Sequence, residues 1–286
     1  MRLQFKHKYS KTMEVKVSNK PSVFKRFQDW FYPWCLAFGL DPYTTKRAIK
    51  GILPTIKDYR HFKSQVSDGN KEFPIAFSLP RFSDRIEAAG IASGHYFHQD
   101  LFVARRIFER QPLRHVDVAS RIDGFVAHVA VYRQIEVFDI RAMESQIPNI
   151  IYHQSDMMQP QNEYLAYCDS LSCLHALEHF GLGRYGEPIQ FNGHKVAFDN
   201  LLKILMPGGI LYLSVPIGPQ RIEFNGHRVF AIPSILAMAG ERFKLLCFSY
   251  VDDAGDFHED QSLDDRAVQQ TFGCKYGCGI FEFQKI

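Results

Sequence analysis

The sequence lacks long apolar runs and blocks of like charge. Its most hydrophobic stretch, WFYPWCLAFGL at Trp30 to Leu40, is far shorter than the roughly 20 residues that a membrane-spanning helix needs. With 34 basic and 31 acidic side chains, the net charge is only +3, which is too small for the concentrated basic face that binds nucleic acid. We therefore expect no membrane span, no nucleic-acid partner, and a small or neutral substrate.

A secretory signal is also missing, because the basic N-terminal segment is not followed by an apolar stretch and small residues. We expect a cytoplasmic protein. The plainer interpretation of Trp30 to Leu40 is a hydrophobic helix packed on the main domain. The alternative is an interfacial anchor, with the basic segment before it facing anionic lipid at the inner membrane face. The sequence leaves the oligomeric state open.

Paired CxxC motifs are absent. The six cysteines, at positions 35, 168, 173, 247, 274 and 278, lie mostly in apolar or strand-like surroundings, which favours buried free thiols in a reducing compartment. Cys274 and Cys278 are the only close pair near glycines, and a zinc site there is the less favoured alternative. The sequence therefore predicts no metal site.

Repeats and low-complexity segments are absent, and the clearest break in composition is the polar run KSQVSDGNKE, which ends at Glu72. We expect a basic and aromatic helical region over residues 1–72 and an α/β domain over 73–286. Apolar residues recur at helical spacing in YFHQDLFVARRIFER, which predicts a helix over Tyr96–Arg110.

The α/β domain alternates short apolar runs with segments long enough for crossover helices. A helix at Phe198–Leu205 should end at MPGG, because proline and glycine stop it. The pattern predicts a doubly wound, mostly parallel, seven-stranded Rossmann-like sheet whose last two strands form an antiparallel edge pair. The predicted strands are His115–Ala119, Ile135–Ile140, Asn149–His153, Ala166–Leu174 and Ile210–Pro216, followed by FKLLCFSYV and GIFEFQKI.

Polar side chains follow these strands at the carboxyl edge of the sheet, where ligands bind in such folds. Asp139 ends the second strand about 20 residues after the first turn, an offset at which a carboxylate accepts hydrogen bonds from two ribose hydroxyls. Asp156 follows the third strand, and HALEHFGLGRYG follows the fourth. Each carboxylate alone fits a solvated strand end equally well, but their joint placement predicts a shared ligand.

These positions resemble those of class I S-adenosylmethionine-dependent methyltransferases. The matching residues are Asp117 with Ala119, Ser120, Arg121 and Gly124 after the first strand, Asp139 and Asp156 after the next two, and Leu177-Glu178-His179 after the fourth. More narrowly, GHYFHQDL, HVDVASRIDGF, FDIR and LEHFGLGRYG look like an uncharacterised domain-of-unknown-function family, first catalogued from nematodes and found also in bacterial polysaccharide gene clusters. The resemblance covers roughly His95 to Ile286. It implies S-adenosylmethionine as the cofactor, bound by these aspartates and loop residues, and a glycan precursor as the substrate.

The loop after the first strand has few of the glycines that this resemblance leads us to expect. Ala119 and Arg121 stand where methyltransferases generally have glycine, and a Cβ limits how closely a cofactor approaches the backbone. Arg121 could pair with the carboxylate of the cofactor's methionine moiety, and Gly124 could provide the close helix packing. Alternatively, Arg121 and the helix N-terminus could hold a phosphate or sugar nucleotide. The plainer interpretation is a structural Arg121 paired with Asp123 or Asp139.

Methyl transfer to a hydroxyl needs a base, and histidine titrates near neutral pH. His179 is the first candidate because it matches the histidine of the Leu-Glu-His element, and His175 is the second, with Glu178 between them. Hydrogen-bonded core histidines are the plainer interpretation. Further side chains could line a substrate pocket with polar and aromatic walls, although a solvated loop is the plainer account of the last two. They are Tyr96, His98, Arg184, Tyr185, His227 and Arg228.

Three functions are compatible with these residues. The first is an S-adenosylmethionine-dependent methyltransferase that O-methylates a sugar or polysaccharide precursor. The second is a non-catalytic scaffold protein that keeps the fold without binding the donor. The third is a sugar-nucleotide or glycan-processing enzyme that uses the same cleft. Stabilisation by S-adenosylhomocysteine separates the first from the others, since a bound ligand raises the free energy of unfolding.

Overall fold

The computed structural model describes residues 31–65, 73, 75–77, 80–87, 90 and 92–286, and at 267 the backbone only. The chain divides into two compact units, Met1–Gly90 and Ile91–Ile286. The expected boundary at residues 72/73 stays a prediction, and most of the polar run before it lies outside the described residues. Trp30 and the basic N-terminal segment also lie outside them.

The described part of the first unit is helical, as expected for this region. Residues 31–37 form a helical segment, and α1 spans Pro42–Ser64. Asp41 starts α1, because its carboxylate accepts hydrogen bonds from the backbone N–H of Tyr43 at 2.9 Å and the hydroxyl of Thr44 at 2.6 Å. No helix among the described residues is long and apolar enough to cross a membrane. Lipid contact by the aromatic segment stays a prediction.

The second unit is built on one eight-stranded sheet with the strand order β3-β2-β1-β4-β5-β10-β8-β9. The strands are β1 His115–Val118, β2 Ile135–Asp139, β3 Ile150–Gln154, β4 Cys168–Leu174, β5 Leu205–Ile217, β6 Arg221–Glu223, β7 His227–Val229, β8 Phe243–Val251, β9 Phe257–His258 and β10 Gly277–Lys285. Strands β1 to β5 run parallel to one another, β10 lies antiparallel between β5 and β8, and β6 pairs with β7 separately. The predicted doubly wound, mostly parallel sheet with an antiparallel edge is confirmed, and the short β9 is its additional strand.

Helices cover both faces of this sheet. They are α2 His95–Arg110, α3 Ala127–Ala130, α4 Gly193–Ile204, α5 Ile232–Ala239 and α6 Asp265–Gln270. Residues of α2 and α3 pack with Val137 and Ile280 in one apolar core, whereas residues of α4 and α5 pack with Val116 and Val118 in another. Because successive side chains of a strand point to opposite faces, the two cores lie on opposite sides of the sheet.

The start of the fifth strand differs from the prediction. Helix α4 ends at Ile204 and β5 begins at Leu205, so the strand includes the MPGG sequence that was expected to precede it. Leu205 pairs with Cys168, but the next pairing joins Ile210 to Ser170, and the residues between bulge out of the ladder. Regular pairing therefore begins at Ile210, where the sequence placed the strand.

A buried ion pair joins α2 to the sheet. The carboxylate of Glu282 on β10 is fully buried and accepts hydrogen bonds from Nε of Arg106 at 2.7 Å and Nη2 of Arg110 at 2.6 Å. A buried carboxylate is stable in the ionised form only with such partners. These contacts therefore fix α2, whose first residue His95 lies beside His175 after β4, against an inner strand.

Candidate functional site

A cleft opens at the carboxyl ends of the parallel strands, with about 510 Å³ of empty space that includes open solvent at its mouth. Its walls come from the ends of β1 to β4 and from the segments that follow them. The predicted site residues that line it are Ala119, Asp139, Asp156, His175, His179 and Tyr185. The fold therefore brings these six predicted site residues to one place.

Asp117 and Ser120 shape the turn after β1 instead of lining the cleft. Asp117 is fully buried and accepts hydrogen bonds from the hydroxyl of Ser120 at 2.6 Å, the N–H of Ser120 at 3.0 Å and the hydroxyl of Ser172 at 2.5 Å. Burial raises the pKa of Asp117 to about 7, although these donors act in the opposite direction. Both residues were expected to contact the cofactor. In the structure, their hydrogen bonds stabilise the loop, and neither residue lines the cleft.

Ala119 adopts the backbone conformation that glycine favours. Its φ is +59°, in the left-handed region where a Cβ costs roughly 1–2 kcal/mol. Its N–H donates a hydrogen bond to the carbonyl oxygen of Phe138 at 2.9 Å. The chain therefore makes the sharp turn of a cofactor loop without the glycine, and Ala119 lines the cleft as expected.

Arg121 and Gly124 both lie outside the cleft lining. The guanidinium of Arg121 makes two hydrogen bonds to Asp123, at 2.8 and 3.0 Å, and lies 5.4 Å from the ring centre of Tyr96. Arg121 thus has the structural pairing that the sequence analysis gave as the plainer interpretation. A Cβ on Gly124 would lie 2.6 Å from Oδ2 of Asp100, so this glycine allows α2 to approach the turn closely.

Asp139 lines the cleft at the end of β2, but an arginine already holds its carboxylate. Oδ1 of Asp139 accepts hydrogen bonds from the backbone N–H and Nε of Arg141, both at 2.9 Å, and Oδ2 accepts one from Nη2 at 2.5 Å. The guanidinium also lies 4.9 Å from the ring centre of Tyr185. A ribose can therefore bind Asp139 only after Arg141 moves. Arg141 belongs to the FDIR motif, but its pairing with Asp139 was not predicted.

Apolar side chains flank the two cleft aspartates. Phe138 and Met157 are buried and form part of the cleft wall. Oδ1 of Asp156 accepts a hydrogen bond from the N–H of Met158 at 2.8 Å, which stabilises the turn after β3. An apolar slot with carboxylates at its edge suits a ligand that has a flat ring and hydroxyl groups.

His175 and Glu178 form a buried hydrogen-bonded pair in the segment after β4. Nδ1 of His175 donates to Oε1 of Glu178 at 2.7 Å, while Nε2 of His175 is buried without a partner among the described residues. Burial opposes protonation of His175, but Cys278 and Glu178 raise its pKa well above the ordinary value. Burial also opposes ionisation of Glu178, but His175 lowers the pKa of this carboxyl. An ionised Glu178 therefore orients the ring of His175.

His179 has one ring nitrogen free to accept a proton. Its Nδ1 lies 2.7 Å from the carbonyl oxygen of Gly226, and because a carbonyl oxygen only accepts hydrogen bonds, Nδ1 carries the hydrogen. The lone pair is then on Nε2, which lies 3.8 Å from Oε1 of Glu178. Burial lowers the pKa of His179. The ring is therefore neutral at pH 7 and suited to act as a base.

Three of the predicted substrate residues lie near the two histidines. The ring centre of Tyr96 is 5.1 Å from that of His175, and the ring of Tyr185 meets His179 edge to face at 5.8 Å. Arg184 donates a hydrogen bond at 3.0 Å to the carbonyl oxygen that His179 contacts. Of these three, Tyr185 lines the cleft, and substrate contact by all three stays a prediction.

The remaining predicted substrate residues have other partners. His98 stacks on Phe257 of β9, with ring centres 5.5 Å apart. Arg228 is buried and donates hydrogen bonds to three backbone carbonyls of the chain after β4, at 2.7 to 3.2 Å. The guanidinium of Arg228 therefore holds that segment and does not line the cleft, contrary to the expected role in substrate binding. His98 was also expected to bind substrate, but it lies on the β9 side, outside the cleft lining. His227 packs on the ring of Tyr276 at 5.0 Å.

Two further residues at the site were not predicted. His95, at the start of α2, and Cys278, on β10, each place a ligand-type atom within 4.8 Å of a ring nitrogen of His175 and of each other. From the sequence, Cys278 was paired only with Cys274 as an alternative zinc site. The three residues are far apart in the chain, so no local spacing signals their meeting.

The family model described as "Caenorhabditis protein of unknown function, DUF268" matches residues 123–271, more than half of the chain. No curated protein matches the sequence. Among solved structures, N-methyltransferase NodS from Bradyrhizobium japonicum WM9, in complex with S-adenosylhomocysteine, is 13% identical, with a TM-score of 0.44 over 67% of this chain and 88% of that one. The 1,6-didemethyltoxoflavin-N1-methyltransferase of Burkholderia thailandensis is 12% identical, with a TM-score of 0.48 over 65% and 78%. The [4+2]-cyclase SpnF is 15% identical, with a TM-score of 0.47 over 68% and 87%.

Proposed function

We propose that this chain, which belongs to the DUF268 family of proteins of unknown function, transfers a methyl group from S-adenosylmethionine to a hydroxyl oxygen of a sugar or polysaccharide precursor. The observation that carries the proposal is the cleft itself. It combines Asp139 and Asp156 at strand ends, a glycine-like turn at Ala119, and the neutral base His179 within one lining. The glycan acceptor rests on the resemblance to proteins of bacterial polysaccharide gene clusters.

The residues of the cleft fit the donor in their chemistry. Asp139 would accept hydrogen bonds from the ribose hydroxyls once Arg141 turns away, and Phe138 and Met157 would flank the adenine ring. The left-handed backbone at Ala119 makes the turn that glycine would make, and alanine adds only a single methyl group at this point. S-adenosylmethionine, when bound, supplies an electrophilic methyl group on a sulfonium centre.

His179 would remove the acceptor proton. Its Nδ1 is held by the carbonyl oxygen of Gly226, which fixes the tautomer and leaves the lone pair of Nε2 available. A positioned base of this kind contributes about 10²–10⁴-fold to a rate. The aromatic faces of Tyr96 and Tyr185 beside the histidines suit the apolar side of a sugar ring.

Binding and turnover test this proposal separately. S-adenosylhomocysteine should stabilise the protein by about 2.7 kcal/mol at a hundred times its dissociation constant. Replacing His179 with Gln should keep that stabilisation but lower the release of S-adenosylhomocysteine in the presence of sugar acceptors by about 10²-fold or more. His98→Gln is the matched control, because His98 lies outside the cleft lining. The absence of any stabilisation at millimolar S-adenosylhomocysteine contradicts the proposal.

A second candidate function is a non-catalytic protein that retains the fold. It is favoured by the hydrogen bonds between Arg141 and Asp139, which occupy the position that a ribose would use. For such a protein, neither S-adenosylmethionine nor S-adenosylhomocysteine raises the free energy of unfolding. Stabilisation by a sugar nucleotide alone would instead favour a glycan-processing enzyme.

A further inference from the structure

Three side chains of metal-binding type meet beside the cleft. They are His95 at the start of α2, His175 after β4 and Cys278 near the start of β10. One ring nitrogen of each histidine and Sγ of the cysteine all lie within 4.8 Å of one another. Cys278 is fully buried, and His175 is 8% exposed.

The hydrogen bond of His175 to Glu178 leaves the other ring nitrogen of His175 available. Glu178 binds Nδ1 of His175 at 2.7 Å, while Nε2 is buried and unpartnered among the described residues. The ring of His95 stacks on the ring of His175, with the centres 5.1 Å apart, and also contacts the ring of Tyr276 at 5.4 Å. A carboxylate or a backbone carbonyl on the outer nitrogen is the usual support of a metal-binding histidine.

The backbone at His175 is consistent with a specialised role. Its φ is +50°, a conformation that costs a residue other than glycine roughly 1–3 kcal/mol and that persists mainly at functional sites. The N–H of His175 donates to the backbone oxygen of Ser214 at 3.0 Å. The fold therefore holds this ring in place against a local conformational cost.

We propose that His95, His175 and Cys278 bind one zinc ion, with Glu178 as the outer carboxylate that orients His175. A thiolate with two imidazoles is a ligand set that suits zinc, and three protein ligands leave the fourth tetrahedral position for water or substrate. In a loaded site the ligand atoms stand roughly 3.5 Å apart, from zinc bond lengths of about 2.0–2.3 Å. To reach that spacing, the ligand atoms must come closer than the 4.8 Å within which they lie, and the stacked rings of His95 and His175 must turn so that one nitrogen of each points to the ion.

The open position would serve the chemistry of the cleft, because His175 also lines the cleft. This step rests on the proposed methyl transfer. An acceptor hydroxyl bound to zinc has a lowered pKa. His179 takes its proton, the oxygen forms a bond to the methyl carbon, and the bond from that carbon to sulfur breaks, leaving a neutral thioether. Zinc would thus bind the acceptor, and His179 would act as the base.

Metal binding by the full-length chain, without any donor, tests the zinc site. After treatment with a chelator, the wild-type protein should bind one zinc ion per chain. Cys278→Ser and His95→Gln should each weaken this binding at least a hundredfold, and Glu178→Gln should weaken it about 10–100-fold. Cys274→Ser is the matched control, because Cys274 is also buried and precedes β10 but is not part of the cluster.

Cobalt substitution gives a second readout, and its first measurement uses the wild-type protein alone. A thiolate-to-cobalt charge-transfer band should appear in the wild-type and Cys274→Ser proteins and be absent in Cys278→Ser. The proposal is overturned if the wild type binds no zinc, if the band is missing, or if Cys274→Ser weakens binding as much as Cys278→Ser. Failure of S-adenosylhomocysteine to bind while zinc still binds would refute the methyltransferase proposal alone.

Discussion

Arg141→Gln should strengthen the binding of S-adenosylhomocysteine. The wild-type guanidinium makes two side-chain hydrogen bonds to Asp139 and lies over the ring of Tyr185. A ribose must displace it before using the carboxylate. Glutamine keeps part of the apolar stem but removes the charge and the paired geometry, so the competition is lost. The backbone N–H at position 141 still donates to Asp139.

The exposure of the two partners sets the size of the effect. The side chain of Asp139 is 6% exposed, but that of Arg141 is 50% exposed, so water screens the pair on one side. Exposed ion pairs are worth at most about 1 kcal/mol. Ligand binding to Arg141→Gln no longer has to break this ion pair, so the free energy of binding should improve by up to about 1 kcal/mol. That corresponds to an affinity about fivefold tighter.

Isothermal titration with S-adenosylhomocysteine measures this change. Arg121→Gln is the matched control, because Arg121 pairs with Asp123 outside the cleft and its loss should leave the dissociation constant within about twofold of wild type. Weaker binding by Arg141→Gln would refute the reasoning, since Arg141 would then hold the ligand and not compete with it.

Three further predictions concern stability. Burial lowers the pKa of His115 to about 3, so the unfolded chain binds a proton at this residue before the folded protein does. The free energy of unfolding should therefore fall as the pH drops below about 6.5. In urea denaturation, the fall from pH 7 to pH 4.5 should be about 2–3 kcal/mol smaller for His115→Asn than for the wild type. Gly124→Ala should lower the free energy of unfolding by about 1–3 kcal/mol, because its Cβ would collide with Oδ2 of Asp100; an unchanged denaturation midpoint would contradict this. Glu282→Gln should cost about 2–4 kcal/mol, because two arginines lose their buried partner, and a loss below about 1 kcal/mol would count against it.

The strand pattern was predictable because the inner strands are buried on both faces, so apolar runs mark them directly. The sequence placed the regular part of β5 at Ile210, but the bulge before it depends on pairing with β4 and has no local signature. The short β9 was not predicted, since a strand of two residues has no periodicity of its own.

The part of the site that was predictable from the sequence consists of residues at the ends of the parallel strands. Asp139 and Asp156 follow parallel strands, and such ends meet at one edge of the sheet. Long-range contacts decided the rest. Arg228 was expected in a substrate loop, but the fold buries it against backbone carbonyls. Cys278 comes to His175 only because β10 inserts next to β5.

The position of β10 between β5 and β8 affects how the sheet can form during synthesis. Every other strand of the sheet precedes β10, yet β5 and β8 pair with β10 and not with each other. During synthesis, the edge of β5 therefore stays unpaired until residues 277–285 have left the ribosome, and an open edge strand can join other chains. The nascent protein should depend on chaperones until β10 has been synthesised, and substitutions in β10 should reduce the yield of folded protein more than equally conservative ones in β3.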